Sequence, residues 1–126
     1  MNIIDAAIDN ELSKTKELIA SGADVNFQNG YKMTALMFAC RNGELEIVKE
    51  QLAAGANPNL QNKHGKTALI FASKGGYLSI MRELLAAGAD VNLKDDNDIT
   101  ALISSRHISY QYFERRDLLI QHGAKE

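Results

Sequence analysis

Gly22-Ala23-Asp24-Val25-Asn26 returns as Gly55-Ala56-Asn57-Pro58-Asn59 and again as Gly88-Ala89-Asp90-Val91-Asn92. Each step is 33 residues. A second word, Thr-Ala-Leu, stands at 34–36, 67–69 and 100–102 with the same 33-residue step. One more Gly-Ala pair, Gly123-Ala124, follows the third after 35 residues. Two unrelated words locked to one period point to a stack of supersecondary units. No such unit buries its apolar face alone, so neighbours must stack to form a continuous core.

The same grammar runs through each unit. Thr34, Thr67 and Thr100 precede short apolar stretches and suit the N-cap, where a hydroxyl accepts from an orphan amide of the first turn. Ala35-Leu36-Met37-Phe38-Ala39 and Ala68-Leu69-Ile70-Phe71-Ala72 then predict a first helix whose small residues admit a close neighbour. Asn42-Gly43 and Gly75-Gly76 predict its stop, since Gly enters the left-handed region cheaply. A second helix is predicted over Glu44 to Ala53 and over Tyr77 to Ala86. Leu45, Val48 and Leu52, and likewise Leu78, Met81 and Leu85, recur at helical spacing. The stretches 57–66 and 90–99 are rich in Asn and Asp and read as turns. Asn29-Gly30 reads as a tight-turn pair.

These residues resemble the ankyrin repeat, a turn–helix–helix unit. Gly65-Lys66-Thr67-Ala68-Leu69 is similar to its opening, and Leu84-Leu85-Ala86-Ala87-Gly88-Ala89-Asp90-Val91-Asn92 is similar to its ending. Ile47-Val48 and Ile80-Met81 stand at the family's Ile-Val position. The departures are Ala for Pro in every Thr-Ala-Leu, and Met37, Ile70 and Ile103 where the family has His. Ala is a good helix former, so the fold should tolerate the first change. The second removes a Thr–His hydrogen bond. The fold implied is an all-α ankyrin-repeat solenoid of stacked helix–turn–helix units with hairpin-like turns.

Four units are expected in a single domain, at about 1–28, 29–61, 62–94 and 95–126. In the first, Asp5-Ala6-Ala7-Ile8 replaces the Thr-Ala-Leu opening, and Lys14 and Lys16 bring charge to the outer face, as suits an N-terminal cap. The fourth lacks the mid-unit Gly and carries two extra residues between Ser105 and Asp117. It reads as a C-terminal cap with an altered loop. Tyr110, Tyr112 and Phe113 are either a partner-facing patch or part of that cap. Phe113 falls near the Ile47 and Ile80 positions and is expected to cover the end of the core.

Composition narrows the function. The 14 Lys and Arg against 16 Asp and Glu give a net charge of −2, which argues against phosphate-neutralising nucleic-acid binding. The N-terminus has no basic region, and Asp5 and Asp9 interrupt any apolar core, so no secretory signal is read there. No apolar run reaches the roughly 18 residues of a membrane span. One cysteine makes no disulfide, and a reducing cytoplasmic location is the default expectation.

No catalytic grammar stands out, so an enzyme is not expected. Cys40 falls near the end of an inner helix and reads as a structural thiol. His64, His107 and His122 show no metal-ligand spacing, and His122 suits a helix C-terminus. Asp95-Asp96-Asn97-Asp98 fails as a calcium loop, because Ile99 and Arg106 stand where oxygen ligands are needed. Gly75-Gly76 lacks the length and the Lys of a phosphate loop. No cofactor or metal is expected.

A stack of this kind exposes an extended concave surface of turn tips and inner helices. Four units span on the order of 30 Å and can offer roughly 800 Å² to a partner. The resemblance implies contact positions in the turn before each Thr and at the exposed end of the first helix. In this chain they are Tyr31, Met33, Arg41 and Asn42 in unit two, and Lys63, His64, Lys66 and Lys74 in unit three. In unit four they are Asp96, Asn97, Ile99 and His107. Ile8 and Asp9 are the counterparts in unit one. Polar tips are also what solvation alone would select. The leading expectation is a monomeric, non-enzymatic module that binds a protein partner, with an inhibitor or immunity-type role as a narrower version. The competing classes are a structural repeat without a partner, an enzyme using Cys40 or His107, and a nucleic-acid binder using the lysines of unit three.

Overall fold

The computed structural model describes residues 1–106 and 112–125. Eight helices and no strand occur among them. They are α1 (Ile3–Ile8), α2 (Leu12–Ala20), α3 (Ala35–Asn42), α4 (Leu45–Ala53), α5 (Ala68–Gly75), α6 (Leu78–Ala86), α7 (Ala101–Ser105) and α8 (Tyr112–Gln121). The odd-numbered helices form an inner row, α1 on α3 on α5 on α7, and the even-numbered ones an outer row. At five to ten residues, each is too short to be stable in water alone. Packing between rows and between units supplies the stability.

Caps set the inner helices. Thr34, Thr67 and Thr100 each accept from the amide three residues on, at 3.1, 3.2 and 3.3 Å. Asn2 does the same for α1 in a reciprocal pair with Asp5. Ala6, Ala39, Ala72 and Ser105 form a column at the 33-residue step, all 0% exposed. Small side chains there let the inner helices approach closely. The outer stripe is rotated slightly from the spacing-based expectation. Ile47, Val48 and Gln51 in α4 and Ile80, Met81, Leu84 and Leu85 in α6 are buried, whereas Leu45, Leu52 and Leu78 are half-buried. An outer helix packs on its inner partner and on both outer neighbours, so its buried arc is wider than one stripe.

The repeated Gly-Ala-Asx word owes its recurrence to a staple. The closing Asn of the word, at 26, 59 and 92, donates to the carbonyl of Gly55, Gly88 and Gly123 of the next unit. Its side-chain oxygen accepts from the amides of Asn57, Asp90 and Lys125. Each such Asn therefore joins two units through both ends of its amide.

Two expectations are corrected. The tight turn of unit two does not use Gly30, whose φ is not positive. The left-handed residue is Lys32, at φ 56°, in register with Gly65 and Asp98, and Asn29 closes the turn with its side chain. In unit four, Phe113 does not cover the core: it is 75% exposed. Counting eight residues back from each closing glycine places Arg115 at the Ile47 and Ile80 position, and Arg115 is 1% exposed. Its Nη2 donates to the Ser105 carbonyl at 3.2 Å. That carbonyl ends α7, where no glycine cap follows, so the guanidinium serves an orphan acceptor. Tyr110 lies outside the described residues.

Candidate functional site

The turns before the inner helices are built alike. Asn29, Asn62 and Asp95 each donate their own amide to the carbonyl four residues on, at 2.9–3.0 Å. Their side-chain oxygens accept from the amides of residues 31 and 33, 64 and 66, and 97 and 99. Neighbouring tips are tied by main-chain bonds, Lys63 to the Tyr31 carbonyl and Asp96 to the His64 carbonyl, both 2.9 Å. The tips are thus a fixed row along one edge of the inner helices.

Between that row and the C-terminal ends of α3 and α5 lie two clefts. One, of about 330 Å³, is lined by Tyr31, Met33, Phe38, Arg41, His64 and neighbouring residues of unit three. The other, of about 290 Å³, is lined by Ile70, Lys74 and Gly75 together with Arg41, Lys66 and Phe71. Arg41, Lys66 and Phe71 line both, so the two form one groove across units two and three. The Arg41 guanidinium lies 4.9 Å from the Phe38 ring centroid, a cation–π distance. A further apolar cleft of about 390 Å³ lies at the N-terminal end of the stack, beside Met1, Leu18 and Phe27.

The contact residues implied by the sequence separate into two sets. Tyr31, Arg41, His64 and Lys74 are exposed and line the groove. Met33 belongs to its floor and presents little surface, being 6% exposed and receiving the Asn62 side-chain amide on its sulfur at 3.3 Å. Lys66 is half-buried and pairs with Asp95 at 3.4 Å. Burial alone would raise the Asp95 carboxyl. The amides of Ile99 and Asn97 and the Lys66 ammonium outweigh it and hold the carboxyl below its ordinary range. Asn42, Lys63, Asp96, Asn97 and Ile99 line neither cleft. Asn42 instead stands near Glu44 at the α3–α4 corner, where burial pushes the Glu44 carboxyl up and the Asn42 side chain partly offsets it. His107 lies outside the described residues.

Phe38 and Phe71 are the groove residues that the sequence reading assigned to the helices without a binding role. Each stands in a run of apolar residues on an eight-residue helix. Such a run is longer than one buried face, so one member must project; at 38 and 71 it is the aromatic, half-buried in the groove.

The matching family model, ankyrin repeats in three copies, spans residues 3–95. The chain belongs to the ankyrin-repeat family. Ankyrin repeats are generally protein–protein interaction modules, and the family is generally non-enzymatic. No curated protein matches the chain. The matched residues cover the ankyrin units that build the groove and end at Asp95, before the irregular part of unit four.

Cys40 is 0% exposed, and burial pushes its thiol far up, away from the thiolate a nucleophile needs. Among the described residues no group of three His, Cys, Asp or Glu converges on a metal position. Asp95, in the stretch expected to form a turn, is buried and acts as the closing acceptor of that turn. His122 does sit at a helix end, its Nδ1 2.9 Å from the Leu118 carbonyl. No helix among the described residues is long and apolar enough to cross a membrane.

Proposed function

We propose that the protein is a monomeric, non-enzymatic module of the reducing cytoplasm that holds a protein partner on its concave face. Its groove across units two and three would be the centre of contact. The observation that carries this reading is the shared lining of the two clefts, where Tyr31, Phe38 and Phe71 stand beside Arg41 and Lys74. Tyr and Arg are the side chains most often found at binding hot spots. The turn row is fixed by main-chain and Asx bonds, so the surface is preorganised and binding orders little of it. Such a module acts by stoichiometry, covering a partner's surface or holding it in place. An inhibitor or immunity-type protein is one case of the first.

The test is affinity capture from the native lysate with the full chain and with Tyr31→Ala/Arg41→Ala/Lys74→Ala, read by mass spectrometry and calorimetry. A captured partner should lose about 2 kcal/mol or more of binding energy in the variant. A partner that binds the variant unchanged contradicts the site.

A further inference from the structure

We propose that the groove takes a short acidic segment of the partner, with an apolar side chain between Phe38 and Phe71 and carboxylates on Arg41 and Lys74. The inference rests on the binding reading above and adds the chemistry of what is bound. The chain as a whole carries a net charge of −2, yet the groove gathers cations. Arg41 and Lys74 stand at the same place in successive units, in the last turns of α3 and α5. Both are exposed, and among the described residues no ion pair engages either. Lys14, Lys16, Lys49 and Lys94 each lie within 4 Å of a carboxylate, whereas the exposed Lys32, Lys63 and Lys125 have no ion pair among the described residues but line neither cleft. Within the groove lining Lys66 is already matched by Asp95, which leaves Arg41 and Lys74 as its cationic side chains without an ion pair among the described residues. Stacking on Phe38 orders the guanidinium of Arg41 and leaves its charge unmatched.

The neighbouring units set the length of the acidic segment. At the Phe38 position unit one has Asp5 and unit four has Ser104, and at the Arg41 position unit one has Ile8. The exposed tip of unit four carries Asp96. The cationic stretch therefore spans one step between inner helices, about 8–10 Å. An extended chain advances about 3.3 Å per residue, so the acidic core is about three or four residues. A longer acidic run would meet Asp5 or Asp96. The same flanking acids, with the net negative charge, disfavour a long polyanion such as a nucleic-acid strand.

The experiment pans a phage-displayed library of random dodecapeptides on the full chain and, in parallel, on Arg41→Glu/Lys74→Glu, whose helical content is checked by circular dichroism. A selected peptide is then measured by fluorescence anisotropy against both proteins and against Arg41→Gln/Lys74→Gln. Peptides with a few Asp or Glu around an apolar residue are expected. Their affinity should fall with salt and drop on the order of tenfold or more in the charge-reversed variant. That variant should itself select Lys and Arg at the same peptide positions. Groove-binding peptides that are neutral or basic on the original chain would overturn the acidic-segment inference and leave the groove reading standing. Peptides whose affinity is the same for all three proteins, or no enrichment at all, would overturn both. A single-stranded oligonucleotide that displaces the selected peptide and weakens in the same variants would replace the acidic peptide with a phosphate ligand.

Discussion

Asp95 holds the place that Asn29 and Asn62 hold in the preceding turns, and all three side-chain oxygens accept the same pair of amides. Only Asp95 adds a charge, which Lys66 meets at 3.4 Å. Its carboxyl lies below the ordinary value because those bonds outweigh burial. A carboxyl lower in the folded than in the unfolded chain stabilises the fold above the unfolded value, about 3.9. That contribution is lost as pH falls through the folded value. Urea unfolding of Asp95→Asn should show a cost of at most about 1 kcal/mol near neutrality, shrinking at acid pH. Asn keeps both amide bonds, as units two and three demonstrate. A cost that grows on acidification would contradict the pairing. Gln51 is the opposite case. It is 0% exposed, and among the described residues neither its amide oxygen nor its nitrogen has a partner. Leu18, Leu84 and Leu119 occupy the equivalent place in the other units. An unsatisfied buried amide costs about 1–3 kcal/mol, so Gln51→Leu should raise thermal stability by several degrees in calorimetry. An unchanged or lower melting temperature would show that the amide is satisfied in solution.

The helices themselves were legible because caps and periodicity agreed. Thr before α3, α5 and α7, the glycine after α3 and α5 and the apolar spacing of α4 and α6 all point to the same boundaries. The stop expected at Gly75-Gly76 is where α5 ends, with the two glycines in different roles. Gly75 is the last residue of α5, and Gly76 at φ 73° is the left-handed cap. A Cβ on Gly75 would run into Tyr77 Cε2, and one on Gly43 would meet Cε1 of the same ring at 2.8 Å. Tyr77 thus lies between two glycines of successive units, a contact across the 33-residue step that no local pattern encodes. Gly75→Ala should therefore destabilise the chain, although Ala gains about 1 kcal/mol over Gly within a helix. In a Tyr77→Ala background the same change should become neutral or favourable, and a double-mutant cycle by urea denaturation reads the coupling. Additive costs would contradict the contact. Unit four escaped for a related reason. Its longer connection moved the register, so Arg115 rather than Phe113 took the buried position, and only counting back from Gly123 exposes this.

At the scale of the molecule, the period pointed to the stack, and the ankyrin resemblance to the side of it that bears the turn tips. The groove was half legible. Tyr31, Arg41, His64, Lys66 and Lys74 followed from the family resemblance carried over by register, whereas Phe38 and Phe71 were hidden within apolar runs that resemble core. Met33 was placed on the surface because nothing in the sequence says that Asn62, 29 residues later, covers its sulfur. The acidic tip of unit four lies outside the groove because its side of the stack has neither the aromatic nor the cation that units two and three repeat. The central claim is that units two and three hold the partner on their inner face. Hydrogen–deuterium exchange of the chain with and without its captured partner tests that claim most directly. Amide protection should concentrate in 29–42 and 62–75, with the exposed faces of α4 and α6 unchanged. Protection confined to α4 and α6, or to the cleft beside Met1 and Phe27, with 29–42 and 62–75 unaffected, would contradict it.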